Sequence, residues 1–271
     1  MATALIDFHN HFIGSLPSEA PVKWPSLADE MGLARSLDVV GTRVISCPLE
    51  FVAGVPVQNV NDAMARLIEK YRGRLIGLAS VDAYAGREAA EELTRAVKAR
   101  GLRGVFVESA KDELLPDCEQ AQPLFAAAAS LGVPVFLHPV PDRPLRTRFK
   151  NERFVRSTIN SAAILAVIAA GMFEKHHGLK VVVTALALGG LLLADRVPEG
   201  IYIDTTGTKP ATLRGAIELL GARRVVAGSD WPVVQESDLP ERLSAMLAAF
   251  GLPMADRERV AAGNARELLH V

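Results

Sequence analysis

The chain has 271 residues, of which 49% are hydrophobic and 23% charged, with a formal net charge of -1. That is ordinary globular material, long enough for one barrel or two smaller domains. It offers no basic field for nucleic acid or for an anionic membrane surface. Two cysteines, Cys47 and Cys118, make no disulfide framework, and no basic segment followed by an apolar run opens the chain, so a cytoplasmic protein is expected. The longest apolar run, 162–173, is too short to cross a bilayer and suits a buried helix.

Short β-branched runs alternate with longer helical patterns. The expected strands are 4–9, 43–47, 75–81, 104–108, 133–138, 180–184, 201–204 and 224–229. Most are continuously apolar, as parallel strands covered on their outer face should be. Between them, "VNDAMARLIEKY" reads as a helix with Asn61 as its N-cap. "REAAEELTRAVKARG" and "AQPLFAAAASLG" end at the helix-stopping Gly101 and Gly132. "STINSAAILAVIAAGMFEK" is the longest helical stretch, and "PATLRGAIELLG" opens at Pro210. Eight strand–helix units in one uninterrupted domain, 1–271, predict an α/β fold, the (β/α)8 TIM barrel.

The first strand carries "IDFHNHF". Residues two apart on a strand share a face, so His9 and His11 should point together into the barrel, with Asp7 below them and Phe8 turned outward. His138 ends the fifth strand in "FLHP", and Asp230 follows the eighth in "GSDWP". All four then lie at the C-terminal end of the barrel, where active sites of this fold sit. Three imidazoles and a carboxylate suit one divalent metal with an open position, zinc first, with manganese, iron or cobalt as alternatives.

These stretches, together with "AAGMFEKHHGLKVVV" and the closing "GNARELL", resemble the amidohydrolase superfamily, in the amidohydrolase-related branch that includes aminocarboxymuconate-semialdehyde decarboxylase. The resemblance implies that His9, His11, His138 and Asp230 bind one catalytic metal, usually zinc. It also admits a metal-free site, as in lactonases of the branch, and implies a homodimer. One departure stands out. Ala185, in "VVVTALALGG", occupies the position where the family usually carries a histidine after the sixth strand, and it should leave a gap beside the metal.

Other residues compete for roles. The segment "PDRPLRTRFKNERF" reads as a loop after the His138 strand, and Arg143, Arg146 or Arg148 could hold the carboxylate of a small carboxylated substrate, aromatic acids included, by a bidentate pair. Glu108 and Asp204 end the fourth and seventh strands and read first as caps or ion-pair partners. Cys47 reads as a small packed residue. The expected activity is metal-dependent hydrolysis of an amide, ester or lactone in a small carboxylated molecule, with Asp230 binding the metal and carrying the proton. The alternative is metal-dependent non-oxidative decarboxylation. The third reading is a barrel that binds a small molecule and has lost catalysis.

Overall fold

Apolar, β-branched runs become strands here because both of their faces are covered, one by the barrel interior and the other by helices. The computed structural model describes residues 5–14, 25–52, 54–140, 143–207, 209–234 and 238–271. Its strand segments are β1 (Leu5–His11), β2 (Gly41–Ser46), β3 (Leu75–Gly77), β4 (Ala79–Ser80), β5 (Val105–Glu108), β6 (Val135–His138), β7 (Val181–Val183), β8 (Ile201–Asp204) and β9 (Val225–Val226). Each pairs in parallel with the next within two ladders, β1 to β3 and β4 to β9.

β3 and β4 are two pieces of one barrel strand, interrupted at Leu78. There the pairing passes between neighbours: Leu78 N–H donates to Ile45 O at 2.9 Å and Ala79 N–H to Gly104 O at 2.8 Å. The ring closes where Phe8 N–H donates to Ala227 O at 2.7 Å and His11 N–H to Trp231 O at 2.8 Å. The result is the expected (β/α)8 barrel, with every expected strand present. No helix among the described residues is long and apolar enough to cross a membrane.

Most of the expected helix signals act as read. Gly101 and Gly132 end the helices Arg87–Arg100 and Gln122–Leu131 at φ 72° and 69°, and Pro210 opens the helix Pro210–Leu220. Asn61 does not. The helix Val57–Lys70 begins earlier, after Pro56, and Asn61 lies buried within it. Its amide accepts from Ser80 N–H at 2.8 Å and donates to Ser80 O at 3.0 Å and to Glu92 at 2.7 Å. The side chain caps β4 rather than its own helix.

The core has two layers. Ile6, Phe8, Val44, Leu78, Phe106, Phe136, Val182 and Val226 fill the barrel interior, and Ala265, Leu268 and Leu269 of the helix Asn264–Leu269 pack onto them. Asn264 ties that helix to the N-terminal end of β9, donating to Val225 O and Ala222 O at 2.7 Å each. The helix therefore closes the barrel at the end away from the histidines.

Phe8 corrects the reading of β1. Strict alternation turns it outward, yet it lies inside, edge-on to Phe136 with ring centroids 5.6 Å apart. His9 also meets Phe136, at 4.8 Å. Two consecutive side chains share the interior because the β1–β2 register shifts between Asp7 and Asn10. A bulge-like irregularity of this kind breaks the period of two.

Candidate active site

At the C-terminal end of the barrel, β1 delivers His9 and His11, β6 delivers His138, and the turn after β9 delivers Asp230. Their donor atoms all lie within 4.8 Å of one another. His11 Nε2 sits 3.2 Å from both His9 Nε2 and His138 Nε2, and Asp230 Oδ1 is 3.5 Å from His9 Nε2 and 3.3 Å from His11 Nε2.

The outer hydrogen bonds decide what these imidazoles present to the centre. Thr206 donates its hydroxyl proton to Asp204 Oδ2 at 2.9 Å, so the contacts of His9 Nδ1 with Asp204 Oδ2 (2.6 Å) and Thr206 Oγ1 (2.8 Å) require the proton on Nδ1. Ser46 Oγ donates to Asn10 O at 3.1 Å and so accepts from His11 Nδ1–H at 3.0 Å. In their neutral forms both histidines then aim bare Nε2 lone pairs at each other across 3.2 Å. A cation between them turns that repulsion into coordination. The donor set, three imidazoles and a carboxylate with each of two rings oriented by an outer partner, fits one divalent metal ion.

The protonation equilibria show the same crowding. Burial pulls His9 down, but the carboxylates of Asp204, Asp230 and Asp7 outweigh it and leave His9 above the usual histidine range. Burial lowers His11. His138 falls furthest, through burial and then the neighbouring imidazoles. For Asp230, burial works upward, and the hydrogen bond with His11 and the charge of His9 bring it below the ordinary carboxylate range.

Asp230 sits at φ 67°, in a region that non-glycine residues seldom occupy. A buried network holds it there. Asp230 N–H donates to His9 O at 2.9 Å. Next to it, Ser229 donates from its backbone N–H to Asp7 Oδ1 at 3.0 Å and from its hydroxyl to Asp7 Oδ2 at 2.6 Å. The buried Arg43 of β2 donates to Asp7 Oδ2 and, at 2.5 Å, to Asn10 Oδ1, and its guanidinium lies 4.9 Å from the ring centroid of Trp231. Asp7 thus lies beside the seam between β9 and β1, bound to both sides of it.

A cavity of about 200 Å³ opens over the four residues. Its walls include Pro48, Phe51, Pro139, Thr184, Leu186, Thr206 and Val233, with Glu50, Glu152 and Arg156 as charged members. A larger groove of about 900 Å³ runs beside the helix Glu152–Ala169, lined by none of the four. Ala185 is buried and is not among the described lining residues. Its N–H donates to Asp204 Oδ1 at 2.8 Å, while its neighbours Thr184 and Leu186 form the wall.

The segment after β6 is a short helix, Arg143–Arg148, rather than a loop. Arg146 is exposed and pairs with Glu152 at 3.2 Å, and Arg148 lies over the exposed Phe149 ring at 5.8 Å. The side chain of Arg143 lies outside the described ones. Among the described residues the arginine that lines the cavity is Arg156, one turn into the next helix, which donates to Glu152 at 3.2 Å and to Pro139 O at 2.8 Å. Its sequence signal was an arginine one turn past the N-cap Asn151. Asp204, expected as a cap or ion-pair partner, is the carboxylate that orients His9. Glu108 is half-buried outside the described lining, and burial, then Glu50 and Asp82, push its carboxyl up to about 7. Burial alone pushes the Cys47 thiol up to about 12, as befits a packed, inert side chain.

Four known proteins bear on this site. Gamma-resorcylate decarboxylase of Rhodococcus jostii (strain RHA1) is 24% identical over 281 residues, covering 84% of this chain and 83% of the relative. 2-Amino-3-carboxymuconate-6-semialdehyde decarboxylase of Dictyostelium discoideum is 23% identical over 240 residues, covering 78% of this chain and 66% of the relative. A solved structure of 2,6-dihydroxybenzoate decarboxylase with 2,6-dihydroxybenzoate matches at a TM-score of 0.84 and 21% identity, over 99% of both chains. Dihydroxybenzoic acid decarboxylase from Polaromonas sp. JS666, with bound manganese and the inhibitor 2-nitroresorcinol, matches at 0.80 and 21% identity, over 99% of this chain and 97% of that one. All four are named as decarboxylases. The hydrolytic reading is overturned by them, and they match its alternative, non-oxidative decarboxylation, instead. The family model described as Amidohydrolase matches residues 6–271, from the first strand to the last helix, and the chain belongs to that family.

Proposed function

We propose that the protein is a metal-dependent, non-oxidative decarboxylase of a single-ring aromatic carboxylic acid. The observation that carries this reading is the cavity itself. Three imidazoles and a carboxylate form its floor, its walls are largely apolar, and its roughly 200 Å³ suits one substituted ring. The relatives named above supply the reaction class.

A bound divalent metal would polarise substrate oxygens. Manganese, present in the Polaromonas structure, and zinc both suit the donor set. Phe51, Leu186 and Val233 keep water from the ring. Arg156 has one guanidinium nitrogen, Nη2, without a hydrogen bond to the described residues, and that nitrogen takes the substrate carboxylate. Asp230, ionised at rest, relays a proton taken from solvent to the ring carbon that bears the carboxylate. A C–H bond forms, the C–C bond to the carboxylate breaks, its electron pair restores the aromatic ring, and carbon dioxide leaves. Asp230 is left ionised again, so one proton is consumed per carbon dioxide released.

The test is carbon dioxide release from 2,6-dihydroxybenzoate and related hydroxybenzoates by metal-loaded protein. Chelation should abolish release, and added manganese or zinc should restore it. A protein that binds metal yet neither binds nor decarboxylates any single-ring acid would defeat the reading. Arg156→Ala should raise KM about tenfold or more, the scale of a lost charged hydrogen bond, with a smaller effect on kcat. Unchanged KM in that variant would place carboxylate recognition elsewhere, with Arg143, Arg146 and Arg148 next to be tested.

A further inference from the structure

The helix Glu152–Ala169 turns an apolar face to the barrel through Val155, Ile159, Ala163, Ile164 and Val167. A polar stripe interrupts that face at helical spacing: Glu152, Arg156 and Asn160, each four residues after the last. Arg156 reaches the cavity, and one turn on Asn160 is fully buried. Asn160 Nδ2–H donates to Thr184 Oγ1 at 2.8 Å. Thr184 is itself buried and lines the cavity at the end of the sixth barrel strand, directly before Ala185.

Asn160 occupies an acceptor position of the hydroxyl, and among the described residues that hydroxyl has no acceptor for its own proton. Asn160 Oδ1, meanwhile, has no hydrogen-bond partner among the described residues. A buried carbonyl oxygen left without such a partner does not recommend the pair as a stabiliser of the fold. The pair makes better sense as a device that turns one donor into the cavity.

We propose that Thr184, held by Asn160, is a specificity-determining hydrogen-bond donor to a ring hydroxyl oxygen of the substrate. The assignment rests on the aromatic-acid reading above and adds a preference for hydroxylated rings over bare ones. Arg156 and Thr184 would then divide the substrate between them, the guanidinium taking the carboxylate and the hydroxyl taking the ring oxygen. Asn160 is a positioning residue that acts through Thr184.

The experiment measures Kd for 2,6-dihydroxybenzoate and for benzoate by calorimetry, using the metal-loaded protein. Thr184→Val should weaken 2,6-dihydroxybenzoate about tenfold, the scale of one hydrogen bond, and leave benzoate within about twofold. Thr184→Ser should restore the difference. Asn160→Leu should shift the two affinities in the same sense, with a melting temperature at or above that of the wild type. Equal weakening of both acids by Thr184→Val, or of neither, would overturn the assignment while leaving the aromatic-acid reading intact. Asn160→Leu that lowers the melting temperature and spares both affinities would also overturn it, because the pair would then be structural. Failure of the wild type to bind either acid would defeat both the reading and the assignment.

Discussion

Asp230→Asn should lower kcat by about 10²–10⁴-fold, the range typical for loss of a proton-transferring group, while the fold survives. The substitution keeps the size and shape of the side chain. It also leaves the turn intact, because that turn is held by Asp230 N–H, by Ser229 and by Arg43 rather than by the carboxylate. An amide oxygen can still coordinate a metal, although an uncharged ligand holds it less firmly. What the amide cannot do is take up a proton and hand it to carbon. The measurement is single-turnover carbon dioxide release by variant protein whose metal content has been checked, with circular dichroism confirming the fold. Turnover within a few-fold of wild type would assign the proton to another group, and Glu108, held near neutrality, would be the first to examine.

Arg43→Ala should produce the largest loss of stability of any single change at this end of the barrel. Both members of the Arg43–Asp7 pair are buried, and Asn10 and Ser229 are bonded into the same network. Removing the guanidinium leaves the Asp7 carboxylate uncompensated inside the protein, and breaking a buried pair from one side costs about 3–5 kcal/mol. Urea unfolding should show a lower midpoint with little change in slope. The damage should also reach the metal ligands, because Ser229 and Trp231 flank Asp230 and both lean on this cluster. Metal affinity should therefore fall along with stability. Arg43→Lys should recover part of the stability and less of the metal affinity, since an ammonium supplies the charge but not the planar fork or the stacking on Trp231. A variant as stable as wild type would mean that the pair is replaceable by solvent.

Much of the barrel was legible in the chain because parallel strands leave so plain a trace. Runs such as "VVV" at 181–183 are apolar on both faces, and glycines 101 and 132 stop their helices by backbone conformation alone. The convergence of His9, His11, His138 and Asp230 could be anticipated because each stands at the C-terminal end of a strand, and the fold brings those ends together. Phe8 was misread because a register shift is a property of two strands, and β1 alone does not reveal it. Asn61 was misread because its partners, Ser80 and Glu92, lie in other elements. Arg156 escaped notice for a similar reason. The segment before it was taken as loop, so helical spacing was not applied, and the side chain that reaches the cavity is one turn beyond the conspicuous arginines. The choice between hydrolysis and decarboxylation was not legible either, because the same metal-binding set serves both and the sequence does not display the shape of a cavity.

The seam that closes the barrel joins residues 222 positions apart, Asp7 and Ser229, and the aromatic interior is sealed only by the still later helix Asn264–Leu269. Most of the polypeptide must therefore be synthesised before either contact can form. Until then Phe8, Phe106 and Phe136 lack part of their cover, and β1 waits as an unpaired edge beside an unfinished sheet. Such contacts between distant parts of a chain are slow to form, and exposed apolar edges invite association with other chains in the meantime. Nascent chains stalled short of residue 264 should accordingly be good clients for chaperones and proteases. Because His9 and Asp230 lie on opposite sides of the same late-forming seam, the metal site matures with the last stage of folding, and no incomplete intermediate can present the full ligand set.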